Sequence, residues 1–123
     1  MIPRRNLTSF IAAFGFAAKG LAEAIRTQFN IRFHFVATLI AVGMGFYFDT
    51  SLAEWCFIIL AIAIVWIAEL LNTALEYITD FVSPEYNDIA GKVKDIAASA
   101  ALVAALASAV IGLIIFIPKM IGS

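Results

Sequence analysis

Residues 55–80 read WCFIILAIAIVWIAELLNTALEYITD, and the nature of this stretch decides the fold. Residues 55–68 hold no Asp, Glu, Lys or Arg, and the helical pattern continues past Glu69 to about Asp80. An α-helix needs roughly 20 mostly apolar residues to cross a bilayer. Lipid gives backbone groups no hydrogen-bond partner, so a lone apolar segment crosses as a helix. Working outward, residues 33–48 and 96–118 are likewise free of those four charged types. Three transmembrane helices are expected, at about 30–49, 52–80 and 92–118. The connections fit: residues 49–54 form a tight turn without Lys or Arg, and residues 81–91 hold Ser83, Pro84, Asn87, Asp88 and Gly91, a loop composition.

Ahead of these spans, Phe10, Phe14, Ala17, Leu21, Ile25 and Phe29 recur at three- and four-residue spacing, which puts them on one helical face. Lys19, Glu23 and Arg26 occupy other faces. Residues 9–29 therefore read as an amphipathic helix lying in the membrane interface. The fold class is all-α and integral to the membrane, with the 123 residues forming a single domain, 1–123.

Composition agrees. The chain is 63% hydrophobic with a mean hydropathy of +1.00, against roughly 45–50% apolar residues in soluble domains. A soluble domain this small leaves too much surface in water to hide that excess. Net charge is −1, and no basic stripe with interleaved aromatics suggests nucleic acid. The lone Cys56 has no internal disulfide partner and reads as a membrane-embedded side chain. Arg4-Arg5 resembles a twin-arginine export signal only faintly, because Lys19, Glu23 and Arg26 interrupt the apolar core such a signal needs.

The basic residues set the orientation. Arg4, Arg5, Lys19, Arg26 and Arg32 precede the first span, Lys92 and Lys94 follow the second, and only Lys119 lies beyond the third. The positive-inside rule puts the N-terminus and the 81–95 loop in the cytoplasm, as in a multi-pass protein of the inner membrane. The third span is rich in alanine and serine from Ala97 to Ala109. Small side chains let helix backbones approach closely, so self-association is expected.

Chemistry concentrates in Glu69, Asn72, Thr73, Glu76 and Asp80. They fall at i, i+3, i+4, i+7 and i+11, one stripe of the second span. At about 1.5 Å rise per residue, Glu69 lies roughly 16 Å along the helix from Asp80, toward the hydrocarbon. An ionisable group there is costly and marks a functional site or a polar cavity. Helix-to-helix hydrogen bonding by Glu69 and Asn72 is the competing reading. A second cluster, Gly91-Lys92-Val93-Lys94-Asp95, opens the third span. Lys94 suits phosphate as a compact cation and Asp95 suits a cation, although a snorkelling lysine beside a helix-start aspartate explains both equally. In a third cluster, Asn30-Ile31-Arg32-Phe33-His34, the histidine fits a proton relay, a headgroup contact or an interfacial anchor. No Walker-type glycine loop or soluble-kinase signature is present.

Glu69-x-x-Asn72-Thr73-Ala74-x-Glu76 resembles the signature helix of the prokaryotic diacylglycerol kinases and the related undecaprenol kinases, and Lys94-Asp95 followed by alanines resembles that family's second motif. The likeness covers nearly the whole chain. It implies a homotrimer with active sites between subunits at the cytoplasmic surface, and transfer of the γ-phosphoryl of Mg-ATP to a lipid hydroxyl. It implies Glu69 as general base and Glu76 as a ligand of Mg2+. Asn72, Glu76, Lys94, Asp95 and the loop residues Glu85, Tyr86 and Asn87 are implied around the nucleotide, and Asn30, Arg32, Glu69 and Ala98 around the lipid. Gln28 departs from the pattern: many members have a metal-binding glutamate there, and Gln28 supplies oxygen without charge. The family label implies diacylglycerol as acceptor, giving phosphatidic acid, whereas Asn30-x-Arg32-x-His34 resembles the undecaprenol branch. A holin-like pore or a small exporter are the non-enzymatic alternatives. The first commonly carries a basic tail that is lacking here, and the second leaves Glu76, Lys94 and Asp95 without a task.

Overall fold

The computed structural model describes residues 6–122, so Arg4 and Arg5 lie outside the described residues. Four α-helices follow one another: α1 Leu7–Thr27, α2 Phe29–Tyr47, α3 Leu52–Val82 and α4 Asp88–Met120. Each is long and apolar enough to cross a membrane, α1 included.

Local chemistry sets the helix ends. Asn6 and Ser9 form a reciprocal cap at the start of α1, the Ser9 N–H donating to Asn6 Oδ1 at 2.9 Å and the Asn6 N–H to Ser9 Oγ at 2.8 Å. α1 stops at Gln28, whose backbone is extended, and α2 starts at the next residue. In the turn between α2 and α3, Asp49 takes a positive φ of 48°, a conformation that a short polar side chain tolerates. Ser51 and Glu54 cap α3 reciprocally. Asn87 caps α4, its Oδ1 accepting from the Ala90 N–H at 2.9 Å. That cap begins α4 at Asp88 rather than 92, and α3 continues to Val82, so the connection expected at 81–91 narrows to residues 83–87. Its loop-like composition was that of a cap and a first helical turn.

Helices α2, α3 and α4 pack as an antiparallel succession, with α3 and α4 in closest association. At one end Ile58, Ile115 and Phe116 are buried against Met44, Phe48 and Trp55. Lys119 pairs with Glu54 at 3.0 Å at this same end. Gly45 faces the Trp55 indole so closely that a β-carbon would collide with the ring. Along the middle, Ala97, Ala101 and Ala104 are buried on α4 and Ala61 and Val65 on α3. Ser108 Oγ donates to the Ala61 carbonyl at 2.8 Å, a cross-helix bond of the kind that holds helices together in lipid. The opposite end gathers the α1–α2 junction and the 83–87 connection, where Thr27 meets Tyr77 and Lys94 meets Asp80. Ala24 is the one buried residue of α1, so α1 touches the other helices through its last turns.

Depth follows from helix geometry. Counted from Glu54 at about 1.5 Å per residue, Glu69 lies about 22 Å along α3, Glu76 about 33 Å and Asp80 about 39 Å. The hydrocarbon core is about 30 Å thick. A membrane border at Glu54 would put Glu69 inside the apolar slab and Glu76 at its far edge.

Candidate functional site

The polar stripe of α3 is present as a ladder with different partners at successive rungs. Glu69, only 6% exposed, faces α2, where His34 Nε2 lies 3.1 Å from its Oε1. One turn back, the Trp66 Nε1–H donates to Thr38 Oγ1 at 2.8 Å, and Thr38 in turn donates to the His34 carbonyl at 2.7 Å. Trp66 precedes Glu69 by three residues and Thr38 follows His34 by four. These two cross-helix rungs fix the α2–α3 register that sets imidazole opposite carboxylate.

One turn further, the buried Asn72 donates through Nδ2 to Glu76 Oε1 at 3.3 Å. Its Oδ1 is buried and has no protein hydrogen-bond partner. A buried acceptor left empty is costly and calls for a ligand. Beyond it, Lys94 of α4 binds Asp80 at 2.5 Å across the hairpin. The ladder thus runs from an enclosed carboxylate, through an amide–carboxylate pair, to an exposed ion pair.

The remaining expected site residues surround this ladder. Gln28 Nε2 reaches Thr27 Oγ1 at 3.4 Å, and Thr27 Oγ1 lies 3.3 Å from the hydroxyl of Tyr77, the residue after Glu76. Gln28 therefore stands at the level of Glu76. Asn30 and Arg32 lie exposed in the first turns of α2, on either side of Ile31, which is fully buried. Asn87 is occupied as the cap of α4, Tyr86 packs near Gly91, and Glu85 is exposed. Asp95 and Ala98 lie exposed on α4, and Lys94 turns to Asp80 rather than to its neighbour Asp95. Reading the sequence put Asp80 on the acidic stripe without a specific role; the structure gives it Lys94 as partner, across a short connection. Trp66 and Thr38 gave no sequence signal of their own, since an aromatic and a threonine are ordinary in a span.

No cluster of three or more His, Cys, Asp or Glu side chains exists among the described residues. Mg2+ does not require one, because it keeps waters and uses one or two carboxylates together with substrate phosphates. The Glu76 carboxylate and the orphaned Asn72 Oδ1 are hard oxygen donors one turn apart, and fit such an ion.

A cavity of about 280 Å³ opens between α2, α3 and α4. Its walls are apolar or small, among them Ala37, Ala41, Ile62, Ala105 and Gly112, and His34 lies at its polar end. An alkyl or prenyl chain suits such walls, and its polar end would lie beside the Glu69 partner.

Comparison with known proteins agrees with this arrangement. The family model described as prokaryotic diacylglycerol kinase matches residues 15–116. The chain is 38% identical over 117 residues to the undecaprenol kinase of Bacillus subtilis, covering 95% of both chains. It is 31% identical over 105 residues to the diacylglycerol kinase of Escherichia coli, covering 85% of this chain and 86% of that one. A diacylglycerol kinase of Synechocystis is 31% identical over 114 residues, 92% of this chain and 65% of that one. A buried carboxylate on an apolar helix, an acidic ladder leading out of it and a match across most of the chain converge: the protein belongs to the prokaryotic diacylglycerol kinase family, and is a lipid kinase of the membrane.

Proposed function

We propose that this chain transfers the γ-phosphoryl of Mg-ATP to the terminal hydroxyl of undecaprenol, giving undecaprenyl phosphate. The observation that carries the reading is the enclosure of Glu69, a carboxylate only 6% exposed on an otherwise apolar helix and paired with His34 of α2. Undecaprenol is favoured by the 38% identity to a relative of that name over 95% of both chains. Diacylglycerol is the second reading, favoured by the relatives at 31% identity that carry that name.

In this reading Glu69 takes the hydroxyl proton as the lipid oxygen forms its bond to the γ-phosphorus. The bond from that phosphorus to the bridging oxygen breaks, and ADP leaves with the electron pair. Phosphoryl transfer asks the protein mainly for alignment and charge neutralisation. Glu76 and Asn72 Oδ1 hold Mg2+, which when bound neutralises phosphate charge. Lys94 exchanges Asp80 for a phosphate oxygen, and Asp95 and the Glu85–Asn87 turn flank the nucleotide. Asn30, Arg32 and Ala98 border the hydroxyl end of the lipid, while its tail lies in the cavity between α2, α3 and α4.

The N-terminus and the 83–87 connection face the cytoplasm, where the basic residues lie and ATP is found. α1 rests in the interface, its apolar face toward lipid. Three copies assemble, burying part of the large apolar surface that single chains expose, so that α4 of one copy approaches α3 of the next.

The test is phosphorylation in proteoliposomes supplied with labelled ATP and either undecaprenol or a dioleoylglycerol. Labelled undecaprenyl phosphate as the faster product supports the proposal, and labelled phosphatidic acid as the faster product transfers it to the second reading. No lipid product with either acceptor, from protein that is folded and assembled, overturns both.

A further inference from the structure

We propose that His34 is a positioning residue that fixes the carboxylate of Glu69 by donating its Nε2–H to Oε1, leaving Oε2 free to take the acceptor's proton. The inference rests on the reading of Glu69 as general base and goes beyond it by naming what holds that base.

The geometry supplies the argument. The contact is 3.1 Å long, and both side chains are largely withdrawn from solvent, 14% and 8% exposed. Among the described residues Glu69 has no other hydrogen-bond or ion-pair partner. A glutamate side chain has several free torsions, and a misplaced base loses rate steeply because proton transfer needs hydrogen-bond reach. A single donor at one oxygen removes that freedom and leaves the second oxygen for the substrate.

The donor is itself held. The His34 carbonyl accepts from Thr38, which accepts from Trp66 of α3. The ring of Phe33 stands edge-on to the imidazole at 5.4 Å between centroids. On the side of α4, the cavity wall beside His34 is formed by Ala105, Ser108 and Ala109, which carry no charge. Glu69 is therefore the one charged group facing the imidazole among the described residues that line this region. A base oriented by a third group is the recurrent arrangement of activated catalytic pairs. Here the base is the carboxylate and the imidazole orients it.

During transfer the lipid O–H bond breaks and its proton goes to Glu69 Oε2. The lipid oxygen bonds the γ-phosphorus, and the bridging bond breaks with its electron pair on ADP. His34 keeps its proton throughout.

Two readouts test the assignment. The first compares His34→Gln with His34→Leu in the assembled, lipid-embedded enzyme. Gln keeps a neutral N–H at similar reach and Leu removes it at similar bulk. Leu is expected to lower kcat by roughly 10- to 100-fold with KM for Mg-ATP within about twofold, as removal of an orienting partner does. Gln is expected to restore kcat to within about fivefold of the parent. The second readout needs no activity. His34 is the sole histidine of the chain, so nitrogen NMR of labelled protein reports its tautomer without assignment. The proposal expects Nε2 protonated in the parent and a changed signal in Glu69→Ala. A parent with only Nδ1 protonated, a Leu variant with parental kcat, or a Gln variant no better than Leu overturns it. Failure of the underlying reading is distinct: a Glu69→Gln enzyme that turns over at the parental rate removes the base itself, whatever His34 does.

Discussion

Asn72 gives its amide N–H to Glu76 one turn along α3 and leaves its own Oδ1 buried without a protein partner. That pairing leaves an unpartnered amide oxygen and a carboxylate one helical turn apart on α3. If they share Mg2+, Asn72→Ala raises the Mg2+ concentration for half-maximal rate by about tenfold or more, since the remaining carboxylate must hold the ion with water in place of the amide. Asn72→Asp is expected to lower that requirement relative to Ala. A magnesium titration of initial rates at saturating lipid measures both.

Gln28 stands at the level of Glu76 through Thr27 and Tyr77, and offers no charge. Gln28→Glu adds a second carboxylate at that level, and a hard divalent cation binds more tightly as ligand charge rises. The half-saturating Mg2+ concentration is expected to fall by several-fold. A titration that superimposes on the parent's would exclude Gln28 from the neighbourhood of the ion.

Lys94 and Asp80 are 42% and 62% exposed, so their ion pair is screened by water and adds little to stability. Asp80→Asn is expected to leave thermal unfolding in detergent near that of the parent. Lys94→Met, by contrast, is expected to raise KM for ATP by about tenfold or more through loss of a phosphate contact. Comparable losses from both changes would mean that the pair, rather than the lysine, carries the role.

At the far end of the bundle, a β-carbon on Gly45 meets the Trp55 indole. Gly45→Ala therefore forces the ring or the backbone aside, with an expected cost of roughly 1–3 kcal/mol, typical of overpacking. Denaturation in mixed micelles measures it, and Trp55→Leu in the same chain is expected to relieve part of the loss.

Gly112 lines the apolar cavity, and a β-carbon there meets nothing within 4 Å. Gly112→Leu is expected to fill the space without unfolding the chain. If the lipid tail occupies the cavity, the apparent KM for the lipid rises by about fivefold or more while KM for ATP stays put, because only one substrate loses binding surface. Equal kinetics in parent and variant would move the tail elsewhere.

Much of the architecture was legible along the chain because lipid is an unforgiving solvent. Backbone groups must be satisfied within each crossing segment, so charge-free runs near 33–48, 55–68 and 96–118 are read as helices before any packing is known. The period of the helix likewise put Glu69, Asn72, Glu76 and Asp80 on one stripe. Helix ends were less legible: Asn87 looked like loop material, yet its side chain caps α4 and draws Asp88 and Gly91 into the helix.

What the sequence by itself determined is the set of segments that need lipid around them and the order of acidic groups along α3, since both follow from local composition and a fixed helical rise. Only the tertiary structure decided which group of another helix an acid meets: His34 of α2 for Glu69 and Lys94 of α4 for Asp80. Those partners are 35 and 14 residues distant in the two cross-helix cases. Their meeting depends on the register in which whole helices pack, which is fixed by Trp66 on Thr38, Ser108 on Ala61 and Gly45 under Trp55 rather than by the acids themselves.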